Sequence, residues 1–242
     1  MKFYAPFKLL PISCLCLITT LFVGCADDDN DVVATIEMSV EISNVTNGQP
    51  LTPVAVVIHK SGYTPWSIGS AASVGLEKLA ESGDVTDFIS EANADANVLT
   101  TGMAGSAPFA PGSSETVSLS FTENSDARLT LASMLANTND AFAGNTQVKI
   151  GSMSVGDSMT LYSHVHDSGT EKNSEASGTL AGPADSSTAA DKGFSATRDD
   201  SHDFVTIHPG VVSKDDGLST SVLDESHRWN GPAAKVVVTR TK

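Results

Sequence analysis

The stretch TIEMSVEISNVT (Thr35 to Thr46) places Ile36, Met38, Val40 and Ile42 at every second position, with polar or exposed-type residues between them. Successive side chains of a strand point to opposite faces, so this period demands a sheet with one buried side. The pattern recurs along the chain. ETVSLSFT alternates through Val117, Leu119 and Phe121, and RLTLASML follows across a polar turn containing Asn124 and Asp126. TQVKIG, SMTLYSHVH, FVTIH and AKVVVTRT are further β-like runs, while VAVVIHK, after a Pro-bounded turn, reads as buried on both sides. Gly, Ser, Asn and Asp clusters separate the runs. About eight short strands with this punctuation predict an all-β antiparallel sandwich or barrel.

One helical stretch interrupts the strands. SVGLEKLAESG sets Val74, Leu76, Leu79 and Ala80 near one face with Gly83 as a stop, and VTDFISEAN offers another turn. We expect this short helical insertion to pack on the sandwich edge. The segment SGTLAGPADSSTAADKG (177–193) is rich in Ser, Ala, Gly, Thr and Asp. It is expected to be a mobile surface loop within one domain, because strand-like sequence resumes after it.

The start of the chain reads as a targeting segment. Lys2 and Lys8 accompany Leu9 to Val23, an apolar run too short and too poorly flanked to span a bilayer. It ends in LFVGC, similar to the lipobox of bacterial lipoproteins, so residues 1–24 are expected to be a signal peptide and Cys25 the lipidated residue. ADDDND follows, and 25–33 reads as an acidic tether leading to a domain over 34–242. Ala26 rather than Asp after the cysteine favours the outer membrane. All three cysteines (Cys14, Cys16, Cys25) fall in this segment, leaving the domain no thiol for disulfides, zinc or nucleophilic catalysis. Without Lys2 and Lys8 the chain has 12 basic against 29 acidic side chains, a net charge of −17. That charge argues against a nucleic-acid partner and suits either simple solubility or collection of divalent cations.

YSHVHDSGTEKNSE (162–175) joins a strand to a turn carrying Asp167, Glu171 and Glu175 around Gly169. By residue type alone the turn is either solvated or a calcium loop, since Asp and Gly are ordinary turn residues and calcium accepts 6 to 8 oxygens of any source. His164 and His166 share one strand face, and His202 or His208 could complete a zinc site. No G-x-S-x-G elbow, phosphate loop or dinucleotide fingerprint occurs. Paired carboxylates could serve a glycosidase, but such clefts are aromatic-lined and only ten aromatic residues follow the signal. Trp229, in SHRWNGPAAK, is either a recognition residue or an anchor plugging one end of the sandwich.

Four segments, in order, resemble the spondin domain, the N-terminal module of F-spondin and mindin: the helix VGLEKLAESGD, the stretch RLTLASMLANTNDAFAGNTQVKI with Ala132-Ser133-Met134, Asn139-Asp140, Phe142 and Gly144, the loop Asp167-Ser168-Gly169-Thr170-Glu171, and the closing HRWNGPAAKVVVTR. The resemblance implies a C2-like β-sandwich with one calcium ion at a loop edge, held by Asp140, Asp167 and Glu171. Asn139 and Glu175 are outside candidates. Glu171 stands where the family has Asp, Ala141 where animal members have Trp, and the animal cysteines are absent. It also implies a lipid-anchored, non-catalytic envelope module for adhesion or binding to a protein, glycan or matrix. The alternative is a metal-assisted hydrolase using the same acidic edge.

Overall fold

The computed structural model describes residues 1–4, 34–189, 192–197 and 202–242. The chain divides into two units, Met1–Val32 and Val33–Lys242. The apolar run of the expected signal peptide, Cys25 and the acidic tether lie outside the described residues. Among the described residues no helix is long and apolar enough to cross a membrane.

The second unit is built from strands β1 (Thr35–Asn44), β2 (Val54–His59), β3 (Val98–Ala104), β4 (Ser114–Thr122), β5 (Arg128–Met134), β6 (Ala141–Lys149), β7 (Ser158–Asp167), β8 (Thr206–Ile207) and β9 (Ala234–Arg240). Two short helices, α1 (Val74–Ser82) and α2 (Thr86–Asn93), fall between β2 and β3. Neighbouring strands run antiparallel in the order β3-β2-β5-β6-β7-β9-β1-β4, with β8 added to β7. β7 joins the two sheets of the sandwich, because Ser158–Ser163 pair with β9 and His164–Asp167 pair with β6. The ends of the strand path also meet. A side chain at Gly102 of β3 would lie 2.8 Å from Leu119 Cδ2 of β4, so the bare glycine lets the two edges approach and the sandwich nearly closes.

The main core lies between the sheets. Ile36, Met38, Val40 and Ile42 are at most 1% exposed and pack with Val54, Val56, Ile58, Leu129, Leu131, Val236 and Val238. A second apolar layer covers the outer face of β2, β5 and β6. There Ala55, Val57, Ala132 and Phe142 meet Leu76, Leu79 and Phe88 of the helices, with Trp66 between them. The helices therefore cover a sheet face rather than an edge, which corrects the expectation. The reason is in β2: six consecutive buried residues bury both faces, so each face needs a cover. The Ser73 hydroxyl accepts from the Leu76 amide to start α1, and Gly83, at φ 72°, ends it in the left-handed region.

Two elements depart from the expected pattern. β3 was not foreseen, since VLTTGMA is mostly half-buried and carries no period. β6 begins at Ala141 rather than near Thr146, because Ala141, Phe142, Ala143 and Gly144 are buried on both sides and do not alternate. FVTIH contributes only Thr206–Ile207 as strand. The 177–189 segment is held in place, again contrary to expectation. The Asp185 carboxylate, 4% exposed, accepts from the backbone amides of Gly178, Leu180 and Ser187, and Lys192 pairs with it at 3.6 Å. Burial works against ionisation of Asp185, yet these donors hold its carboxyl down at about 2. Leu180 then joins Val211 and Leu223 in a third, small apolar cluster.

Candidate metal centre

Strand register places the first two acids. Ala141 opens β6 directly opposite Asp167, the last residue of β7, so Asp140 and Asp167 stand side by side at one end of the sandwich. The turn before Asp140 is shaped internally: the Thr138 hydroxyl donates to Leu135 O at 2.6 Å and accepts from Ala141 N at 3.1 Å. The turn after Asp167 then folds over Asp140. One oxygen, Asp140 Oδ2, accepts from the Ser168 hydroxyl at 2.9 Å, Thr170 N at 2.8 Å and Glu171 N at 3.1 Å. The other oxygen, Oδ1, is buried and has no hydrogen-bond partner. Gly169 makes this fold-over practicable. Its φ is 78°, and a Cβ there would lie 2.3 Å from Phe204 O.

Asp167, 8% exposed, accepts from Gly169 N at 2.8 Å through Oδ1 and from Asn173 Nδ2 at 2.6 Å through Oδ2. Burial, and next the charge of Asp167, push the Asp140 carboxyl up to about 6 against the pull of its donors. Glu171 comes to the same edge by its backbone. Its side chain accepts from Asn139 Nδ2 at 3.5 Å and lines a cavity of about 300 Å³ with Asp167, Gly169, Asn173, His202 and Thr206. Asn139 is a loop brace, because its Oδ1 accepts from Ser174 N and Glu175 N. Glu175 is buried away from these acids, and burial pushes its carboxyl up to about 7.

The arrangement brings Asp140 and Asp167 together and sets Glu171 at the mouth. Among the described residues, no group of three His, Cys, Asp or Glu side chains is gathered tightly enough to hold an ion. A cation there needs Glu171 to turn inward or further oxygens from backbone and water, a mixed set that suits calcium with its 6 to 8 oxygens better than four-coordinate zinc, which favours Cys and His. Two buried carboxylates with one unpartnered oxygen fit a hard cation, since a positive charge satisfies the orphan oxygen and relieves the repulsion. The histidines do not converge. His166 stacks on Phe142, with centroids 5.2 Å apart, while His164 is exposed and His208 is bonded to Asn173.

A family model described as Spondin_N matches residues 46–199. The chain belongs to the spondin N-terminal family. No curated protein matches it. The matched segment of this spondin domain includes Asp140, Asp167 and Glu171, whereas β1, β8, β9 and Trp229 lie outside it. Asn173 and Glu81 help build the edge and escaped sequence reasoning, while His208 entered it only as a zinc candidate and Ser168 and Thr170 only as members of the Asp-x-Gly-Thr-acid loop. Glu81 of α1, 2% exposed, accepts from Ser195 N, and burial raises its carboxyl against the pull of Thr170 and Ser195. Ser168 and Thr170 are common turn residues, and nothing in the sequence links Glu81 to them.

Proposed function

We propose that this spondin domain is a non-catalytic binding module whose loop edge is stiffened by calcium, carried on a bacterial cell envelope by a lipid on Cys25. The observation that carries the calcium reading is the unpartnered, fully buried Oδ1 of Asp140 beside the charge of Asp167. Asp140 and Asp167 would hold the ion, with Glu171 as the third carboxylate. Bound there, the ion supplies charge neutralisation and rigidity to the turns at 135–140 and 168–174. Support for binding over hydrolysis comes from His208, both of whose nitrogens are already engaged, leaving it unavailable as a general base beside the acids. Adhesion to a protein, glycan or matrix, with the module on the outer membrane, completes the proposal.

Calorimetric titration of the purified protein with calcium tests it. Heat of binding and a raised melting temperature are expected, and Asp167→Ala should abolish both. Absence of heat and of any thermal shift at millimolar calcium overturns the reading. Separately, Cys25→Ser should move the protein from the membrane to the soluble fraction; continued membrane association would refute lipid anchoring.

A further inference from the structure

His208 follows β8 and is 5% exposed. Its Nδ1 accepts from Gly210 N at 3.0 Å, so the ring proton sits on Nε2, which lies 3.0 Å from Asn173 Oδ1. That contact orients the amide: Oδ1 takes the imidazole proton, and Nδ2 is turned to donate to Asp167 Oδ2 at 2.6 Å. The backbone amide of His208 donates to Val165 O of β7 at 3.1 Å. Trp229 packs its indole against the imidazole, with centroids 5.2 Å apart at 52°. Each link points the same way, from the sheet toward the acid.

We infer that Trp229, His208 and Asn173 form a positioning relay that fixes the Asp167 carboxylate for the cation at the loop edge. The inference rests on the calcium reading of that edge and gives its outer support. Asp167 Oδ1 is held by the Gly169 amide of its own turn, and the relay supplies the hold on Oδ2 from groups anchored outside the carboxylate itself. The relay ties that carboxylate to β7 through the His208 backbone and to the residues preceding β9 through Trp229. Groups bonded behind a metal ligand in this way fix its orientation, and their loss weakens metal affinity about 10- to 100-fold. Burial keeps the imidazole neutral by lowering its pKa to about 4, so it stays an Nε2–H donor at neutral pH. Both His208 and Trp229 lie beyond the segment matched by the family model, so the support comes from a different part of the chain than the acids.

The test uses Asn173→Leu, which keeps volume and removes both bonds, and His208→Phe, which keeps a ring against Trp229 and removes the donor. Calcium affinity is measured by calorimetry and the calcium-free melting temperature alongside it. Each single variant should bind calcium about 10- to 100-fold more weakly. The double variant should be no weaker than the worse single, because the residues act in one chain. His208→Gln, which retains an N–H donor, should recover affinity to within a few-fold of the parent and remains informative if the phenylalanine variant misfolds. Nitrogen chemical shifts of His208 should show the Nε2–H tautomer, a readout that needs no calcium. Unchanged affinity in both singles, losses that multiply in the double variant, or an Nδ1–H tautomer overturns the relay. If the parent protein takes up no calcium, the reading of the edge itself fails, whatever the tautomer.

Discussion

Asp140 accepts four hydrogen bonds, from Ser168, Thr170 and Glu171, on one oxygen and none on the other, and that asymmetry makes a sharp prediction at the scale of a single residue. In Asp140→Asn the amide oxygen can keep the donors from Ser168, Thr170 and Glu171, while an NH2 replaces the orphaned oxygen and can donate toward Asp167. Removing one of two adjacent buried charges relieves both desolvation and repulsion. Without calcium, the variant should therefore melt at the same temperature as the parent or higher at pH 7.5. With calcium at 100 times the dissociation constant the parent should gain about 2.7 kcal/mol, and the variant nothing. Differential scanning calorimetry with and without calcium reads both. A variant that gains as much as the parent would remove Asp140 from the ligand set. The acids themselves show how unevenly such a site is written in sequence. Asp167 and Glu171 stand in a recognisable Asp-x-Gly-Thr-acid turn, but Asp140 is 27 positions away on the numbering and pairs with them only because β6 and β7 are in register. Asn173 and His208 are 35 apart and carry no motif, so their bond is visible only in the fold.

At the scale of elements, the turn over Asp140 depends on Gly169. Alanine there must hold φ near 78° and would place its Cβ 2.3 Å from Phe204 O. The left-handed backbone alone costs about 1–2 kcal/mol, and the contact forces the segment before β8 outward as well. Gly169→Ala should lower stability by at least about 2 kcal/mol in denaturant unfolding and weaken calcium binding together with it; an unchanged midpoint would mean that the turn relaxes freely. The elements differ in how legible they were beforehand. β1 was readable at all four core positions, because a strand with one wet face must alternate. The end of α1 was readable from Gly83. β3 and the first half of β6 were not, since their burial comes from elements distant in sequence: β4 closes over Gly102, and Trp66 lies against Gly144. The 177–189 segment looked mobile by composition, but one buried acid, Asp185, gathers its backbone amides and pins it.

For the whole molecule, the buried ionisable groups determine how stability and calcium binding change with pH. Asp140 is raised to about 6 and Glu175 to about 7, both chiefly by burial, while burial lowers His208 to about 4. An acid whose pKa is raised in the folded state binds more protons there than in the unfolded chain, so its contribution falls as pH rises between its two values. For Asp140 that window runs from about 3.8 to 6, and for Glu175 from about 4.5 to 7. His208 acts in the opposite sense, adding stability as pH rises from about 4 to 6.5. Glu81 is raised in the same way, and His59 and His166 are lowered like His208, so buried acids and buried imidazoles pull the stability of the calcium-free protein in opposite directions between pH 4 and 7. The low-pKa acids, such as Asp185 at about 2, are already ionised through most of this range and change the slope little. Calcium reverses the Asp140 part, because the ion competes with the proton for the same carboxylate and binding therefore tightens as pH rises through about 6. The calcium-free melting temperature at pH 5 and at pH 7.5 is the baseline. The increment produced by a fixed millimolar calcium concentration should be small at pH 5 and large at pH 7.5. Scanning calorimetry at the two pH values measures both quantities on one sample. A calcium increment that is larger at pH 5 would place the ion away from Asp140, since only a ligand that loses its proton in this window makes the two ions exclude each other.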